Sequence, residues 1–166
     1  MRERRLLNVA GFGVCAALLA YALYAQIHQG LDPCPLCIFQ RIGVVLLGLA
    51  FLAAALHHPR ARGRFAYGAA IVLMALATAA VAARHVYVQS LPPGSLPSCG
   101  APLAVLIRFM PLTQVIRKVL SGGADCMTVN WRFLGLAMPV WVLIWSLVLG
   151  AVGVLANFRR EDSAAR

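Results

Sequence analysis

Four stretches of this chain, residues 6–27, 36–56, 65–83 and 133–158, are apolar for long enough to cross a membrane. A hydrocarbon layer is about 30 Å thick and a helix rises about 1.5 Å per residue, so about 20 residues span it. Lipid offers no water to an N–H or C=O group, so each stretch is predicted to be an α-helix that satisfies its own backbone. The residue balance agrees, with 61% hydrophobic and 12% charged, where soluble domains have about 45–50% and about 25%. The predicted fold is therefore an all-α membrane protein. It is a four-transmembrane-helix bundle forming a single integral membrane domain over residues 1–166, with the third span reaching about residue 87.

The net charge of +10 raises the question of nucleic acid, and its placement answers it. Arg2, Arg4 and Arg5 precede the first span, Arg60, Arg62 and Arg64 separate the second from the third, and Arg159, Arg160 and Arg166 follow the fourth. Four crossings put those three segments on one side, which the positive-inside rule makes the cytoplasm. The arginines read as orientation signals, and no nucleic-acid partner is expected. The opening MRERR, the apolar run after it and the triplet Ala20, Tyr21, Ala22 also have the form of a cleavable signal peptide. Its removal would leave the other spans oriented as before, and four spans are expected.

Two segments then face outward, residues 28–35 and 88–132. Of five cysteines, Cys34, Cys37, Cys99 and Cys126 lie in or at the edge of these segments. In a bacterial membrane protein that side is the oxidising periplasm, where disulfides persist. Cys15, amid apolar neighbours in the first span, reads as a small buried hydrophobe.

Cys34 and Cys37 form a C-x-x-C at the start of the second span. Pro35 suits the first helical position, since it has no N–H to waste, which puts Cys34 near the N-cap and Cys37 in the first turn. A helix N-terminus favours anions and activates a thiol. Arg41 follows Cys37 by one helical turn on the same face; facing lipid it would be costly, so it is expected to face the bundle interior or snorkel to the interface. A structural disulfide across so small a loop removes little unfolded-state entropy. Zinc is set aside because structural sites bring two closely spaced ligand pairs, whereas Cys99 and Cys126 are far apart, and no metal is expected. Covalent haem is excluded, because Ile38 stands where C-x-x-C-H needs histidine. The pair reads as redox-active.

Cys99 lies in LPPGSLPSCGAP and Cys126 follows SGGAD, both predicted to be flexible and exposed. They read either as partners for an external thiol or as a staple of the loop. Between them, residues 112–120 carry apolar positions at helical spacing, with Gln114, Arg117 and Lys118 on another face. That pattern suits a short helix in the membrane interface or an ordinary packing helix.

Two cysteine pairs suggest a relay by thiol–disulfide exchange, and a relay needs an electron sink. The chain has no dinucleotide fingerprint and its soluble segments are too short for a βαβ nucleotide fold. A lipid-soluble oxidant remains, and a quinone is the candidate. His85 and Gln89 share one face at the end of the third span, while Trp131 and Trp141 flank the start of the fourth, with Met138 and Pro139 between them. A planar ring could stack there and accept hydrogen bonds from Arg41 or His85. Two other classes are carried. A four-helix haem cytochrome would need histidines on facing helices, yet His28, His57, His58 and His85 fall at span ends; a membrane scaffold stapled by disulfides would show no redox turnover.

PCPLCIFQR, the long second loop carrying Cys99 and Cys126, and NWRFLGLAMPVW leading into the last span form a specific combination. In these features, from Leu6 to Phe158, the chain resembles the DsbB family of disulfide bond formation proteins. The resemblance implies a bacterial inner-membrane protein, both termini cytoplasmic, that reoxidises a periplasmic thioredoxin-like dithiol oxidase of the DsbA type. Electrons would pass to ubiquinone or menaquinone. By position, Cys99 would form the mixed disulfide with that partner, Cys126 would exchange with Cys34, and Cys37 would be left facing the quinone. Arg41 and His85, with Trp131 nearby, match the family's quinone-proximal positions.

Overall fold

The computed structural model describes residues 2–57, 62–92, 94–96, 103–129 and 131–158. Four long helices carry the four apolar stretches: α1 (Arg2–Gln29), α2 (Pro35–His57), α3 (Arg62–Gln89) and, numbered in chain order after three short ones, α7 (Met138–Phe158). Each is long and apolar enough to cross a membrane. Cys99, His58, Arg60, Arg159, Arg160 and Arg166 lie outside the described residues.

The four helices close a bundle in which α3 packs along α7, α2 along both α1 and α3, and α1 against α7. Between helices in lipid the attraction comes from close packing, because the tails are as apolar as the side chains. Phe51 shows how that is arranged. It is fully buried, and a Cβ on Gly11 of α1 would meet its ring at 2.7 Å. Gly153 of α7 presses as closely on Ile71 of α3. Cys15 packs against Gly48 in the same core, as a small hydrophobe should. Toward the C-terminal end of α7, Asn157 Nδ2 donates to Asn8 Oδ1 at 3.3 Å and to the Gly153 carbonyl at 3.0 Å, so the N–H groups of this buried amide are satisfied within the bundle. His57 is not merely solvated: its ring pairs with the Tyr67 hydroxyl.

The Cys34 end of the bundle has a second small core. Helices α4 (Leu103–Phe109), α5 (Leu112–Ser121) and α6 (Ala124–Met127) lie over it. Leu106, Val115, Val119 and Cys126 bury against Leu36 of α2 and Val88 of α3. One apolar row of α5, Val115 and Val119, is thus consumed by packing, while Leu112 and Ile116 on its flank stay exposed. Arg84 of α3 donates to the Leu120 and Ser121 carbonyls at 2.9 Å each and so ties down the end of α5.

The fourth span starts later than hydropathy implied. Residues 133–137, expected in the helix, belong instead to a two-stranded antiparallel hairpin, β1 (Arg132–Phe133) with β2 (Leu136–Ala137), and α7 starts at Met138. Leu134 and Gly135, at φ +50° and +80°, make the two-residue turn that such a hairpin needs. An apolar run does not distinguish a strand from a helix start. Here the glycine and the aromatic contacts of Phe133 decide it.

Candidate active site

The sharp turn between α1 and α2 places the dithiol. Gly30, at φ +63°, ends α1 in the left-handed region, and a short extended segment brings the chain to Cys34. Cys34 is the N-cap of α2: its carbonyl accepts from Ile38 N–H at 3.1 Å, and its Sγ accepts from Cys37 N–H at 3.4 Å. Cys34 Sγ lies 3.0 Å from Cys37 Sγ. Both cysteines are half-buried at the wall of a cavity of about 450 Å³ between the ends of α1, α2, α3 and α7.

The same cavity is lined by Arg41, His85, Gln89 and Trp131, the other residues singled out from the sequence, and by Met138, Pro139 and Trp141. Arg41 points inward. Its guanidinium donates to Gln26 Oε1 and, at 3.0 Å, to the Ala22 carbonyl, both on α1. These acceptors are neutral, and no carboxylate among the described residues forms an ion pair with Arg41. His85 is buried and fixed on two sides. Gln40 Nε2, which can only donate, lies 2.8 Å from Nδ1, so Nδ1 accepts and Nε2 bears the proton, directed to the Cys126 carbonyl at 3.2 Å. Cys34 Sγ is 3.7 Å from the same Nε2.

Cys126 was expected on a flexible, exposed passage; it is instead only 1% exposed, in the single turn of α6. Its burial is what brings it to the dithiol. The Cys126 thiol is pushed down to about 6, first by a hydrogen bond from Cys34 and further by the backbone N–H groups of Leu36 and Gly123, against burial and the nearby Asp125 carboxylate. Leu36 belongs to the first turn of α2, so that helix end supplies donors to two sulfurs. Cys34 is pushed upward, chiefly because it donates to Cys126 and then to Cys37. Cys34 is thus held toward the thiol form and Cys126 toward the thiolate. That is the disposition required for a sulfur at 126 to attack one at 34 once the latter is in a disulfide.

An aromatic rim closes the site. Trp131 stacks on Phe133 with centroids 6.1 Å apart, Phe133 meets Trp141 at 5.8 Å, and Tyr21 meets Trp131 edge-on at 5.8 Å. Trp141 Nε1 donates to the Phe133 carbonyl at 3.2 Å, which locks the hairpin over the start of α7. Trp145 also lines the cavity, so all three tryptophans of the chain do. Sequence reading missed Trp145, Gln26 and Gln40. Gln40 adjoins Arg41 in PCPLCIFQR, and a glutamine inside an apolar run was the available signal. Of the histidines, His85 alone lines the cavity among the described residues, whereas a bis-histidine haem needs two.

The chain matches the family "Disulfide bond formation protein DsbB" over residues 4–156. It is similar to the Disulfide bond formation protein B of Methylococcus capsulatus, with 51% identity over 151 residues, covering 91% of this chain and 92% of that one. The protein of that name from Xanthomonas campestris pv. campestris (strain 8004) is 50% identical over 152 residues, covering 91% and 88%. That of Xylella fastidiosa (strain 9a5c) is 47% identical over 154 residues, covering 92% and 89%.

Proposed function

The chain belongs to the DsbB family of disulfide bond formation proteins, and on that premise we propose that it is a protein-dithiol:quinone oxidoreductase of the bacterial inner membrane. Membership makes it a disulfide-forming membrane oxidoreductase; the electron route, the partner and the orientation are the proposal. Both termini would be cytoplasmic, with the Cys34 end facing the periplasm, a reading supported by the arginines of the termini and of the segment between α2 and α3.

The observation that carries the proposal is the pair of Cys34 and Cys37 sulfurs, 3.0 Å apart at the wall of an aromatic-rimmed cavity, with buried Cys126 in the small core against which Cys34 packs. The reduced DsbA-like partner attacks Cys99, the Cys99–Cys126 bond breaks, and Cys126 leaves as thiolate. Cys126 attacks Cys34 Sγ, and Cys37 departs with the bonding pair. The partner's second thiol displaces Cys99, which in turn attacks Cys126 and frees Cys34. The loop disulfide is restored, and two electrons rest on Cys34 and Cys37.

The cavity fits a quinone, whose ring is flat and whose polar atoms are two acceptor oxygens. Arg41, His85 and Gln89 would hold those oxygens, and Trp131, Phe133, Trp141 and Trp145 flank the ring space. A bound ubiquinone or menaquinone supplies a two-electron, two-proton acceptor. Arg41 and the Cys37 sulfur line the same cavity, the aromatic rim borders the ring space, and His85 is kept as a neutral donor by Gln40. Such an acceptor is needed energetically. Thioredoxin-like couples run from about −270 to about −120 mV, and 30 mV is about 1.4 kcal/mol, so an ordinary C-x-x-C disulfide alone would reoxidise the upper end uphill by several kcal/mol.

The test is anaerobic: purified protein, a reduced thioredoxin-like dithiol partner and a quinone are mixed while quinone absorbance is followed. Absorbance should fall stoichiometrically with partner thiols, and Cys37→Ser should abolish the fall. Partner oxidation with no loss of quinone would overturn the reading.

A further inference from the structure

We propose that the reduced dithiol, together with His85, forms a binding site for a thiophilic divalent cation, Zn²⁺, which locks the site in its reduced form. The ligand atoms of Cys34, Cys37 and His85 all lie within 4.8 Å of one another. A tetrahedral zinc with bonds of about 2.3 Å to sulfur and about 2.0 Å to nitrogen needs S–S separations of about 3.8 Å and S–N separations of about 3.6 Å. Cys34 Sγ is already 3.7 Å from His85 Nε2, and the two sulfurs stand at 3.0 Å. The third pair, Cys37 Sγ and the His85 ring nitrogen, lies within 4.8 Å, so shifts of about 1 Å in the ligand atoms bring all three to that geometry. A second cysteine pair along the chain is not needed. The third ligand comes instead from a histidine on α3.

Charge supports a cation here. Two thiolates neutralise Zn²⁺, so the bound cluster adds no net charge beside Arg41. The chain has five carboxylates, and two of them, Asp32 and Asp125, are exposed on the lining of this cavity. In a chain of net charge +10, that is a local cation attractor at the entrance.

The surroundings of His85 can change to suit. Coordination through Nε2 moves the ring proton to Nδ1 and releases the Cys126 carbonyl. Gln40, now a donor to Nδ1 at 2.8 Å, becomes the acceptor by a flip of its amide, which gives the metal-bound histidine the second partner that such ligands require. Two S–H bonds break, two Zn–S bonds form and two protons leave; no electron moves. The oxidised pair offers no thiolate and does not bind. Binding is independent of the electron acceptor, whereas the consequence, arrest of turnover, rests on the disulfide-exchange reading above.

Full-length protein in detergent, fully reduced or fully oxidised, is titrated with Co²⁺ and then Zn²⁺. Reduced protein should give a sulfur-to-cobalt charge-transfer band saturating at one equivalent and displaced by Zn²⁺. Oxidised protein should give none. His85→Ala should weaken binding at least tenfold, and Gln40→Leu by about 10- to 100-fold, while Cys15→Ser and Cys99→Ser keep the band. No band in the reduced protein, an equal band in the oxidised protein, or loss of the band in Cys15→Ser or Cys99→Ser would overturn the site. Micromolar Zn²⁺ should also slow reoxidation of the reduced protein. A cobalt band in protein that never reduces quinone sinks the electron route alone; quinone turnover indifferent to Zn²⁺ and without a band sinks the metal site alone.

Discussion

Cys126 is the sulfur that the fold buries beside the start of α2, and its reactivity is set by its neighbours. Cys34 donates to it, and α2 and α6 each lend it a backbone N–H. Its value of about 6 lies below that of an ordinary thiol, so the charged form is favoured in the fold. The resulting stabilisation of the reduced protein is complete above the ordinary thiol value and is lost as pH falls through about 6. The alkylation rate of Cys126 in reduced protein, followed site by site by mass spectrometry, should therefore rise with a midpoint near pH 6. In Cys34→Ala the main cause is gone and the midpoint should move up by more than one pH unit, which lowers the rate at pH 6 about fivefold or more. An unmoved midpoint would separate Cys126 from Cys34.

At the scale of elements, α5 and α6 bring Cys126 against α2 and α3, and one side chain secures them. Arg84 places a cation at the C-terminus of α5, against the Leu120 and Ser121 carbonyls, and lies 5.1 Å from the Tyr87 ring. A cation at a helix C-terminus contributes about 0.3–1 kcal/mol. Arg84→Gln should therefore raise hydrogen exchange of the α5 amides about two- to fivefold, a factor of ten being about 1.4 kcal/mol, while α3 keeps its protection. Unchanged exchange in α5 would show that Val115 and Val119 hold the helix unaided.

For the whole molecule, the bundle rests on contacts shared by more than two helices, and Phe51 of α2 is the clearest, reaching Gly11 of α1 and the neighbourhood of Gly153 of α7. Phe→Ala in a core costs about 3–5 kcal/mol in water. In a bilayer the transfer part fades and the cavity part remains, so Phe51→Ala should cost about 2–3 kcal/mol. Thermal unfolding in detergent should move down by several degrees, with the Cys34 and Cys126 contact still measurable by alkylation at low temperature. An unchanged Tm would mean that the helices close over the gap.

Hydropathy and charge by themselves determined four helices, their common orientation signals and the dithiol at the N-terminus of α2, because those depend on local length, on the missing N–H of Pro35 and on loop charge. Arg41, His85, Gln89 and Trp131 were legible as candidates because one helical turn or one end of a span already groups them. Only the tertiary structure decided the rest. Burial of Cys126, the Gln40 support of His85 and the anchoring of Arg41 on Gln26 each join elements from distant parts of the chain. The start of α7 was likewise in part a tertiary decision, since the Phe133 run is apolar in either conformation and the Gly135 turn, together with the contacts of Phe133 with Trp131 and Trp141, makes it a hairpin. A pattern along the chain reports which groups a segment must bury; it carries no information about which other segment arrives to bury them.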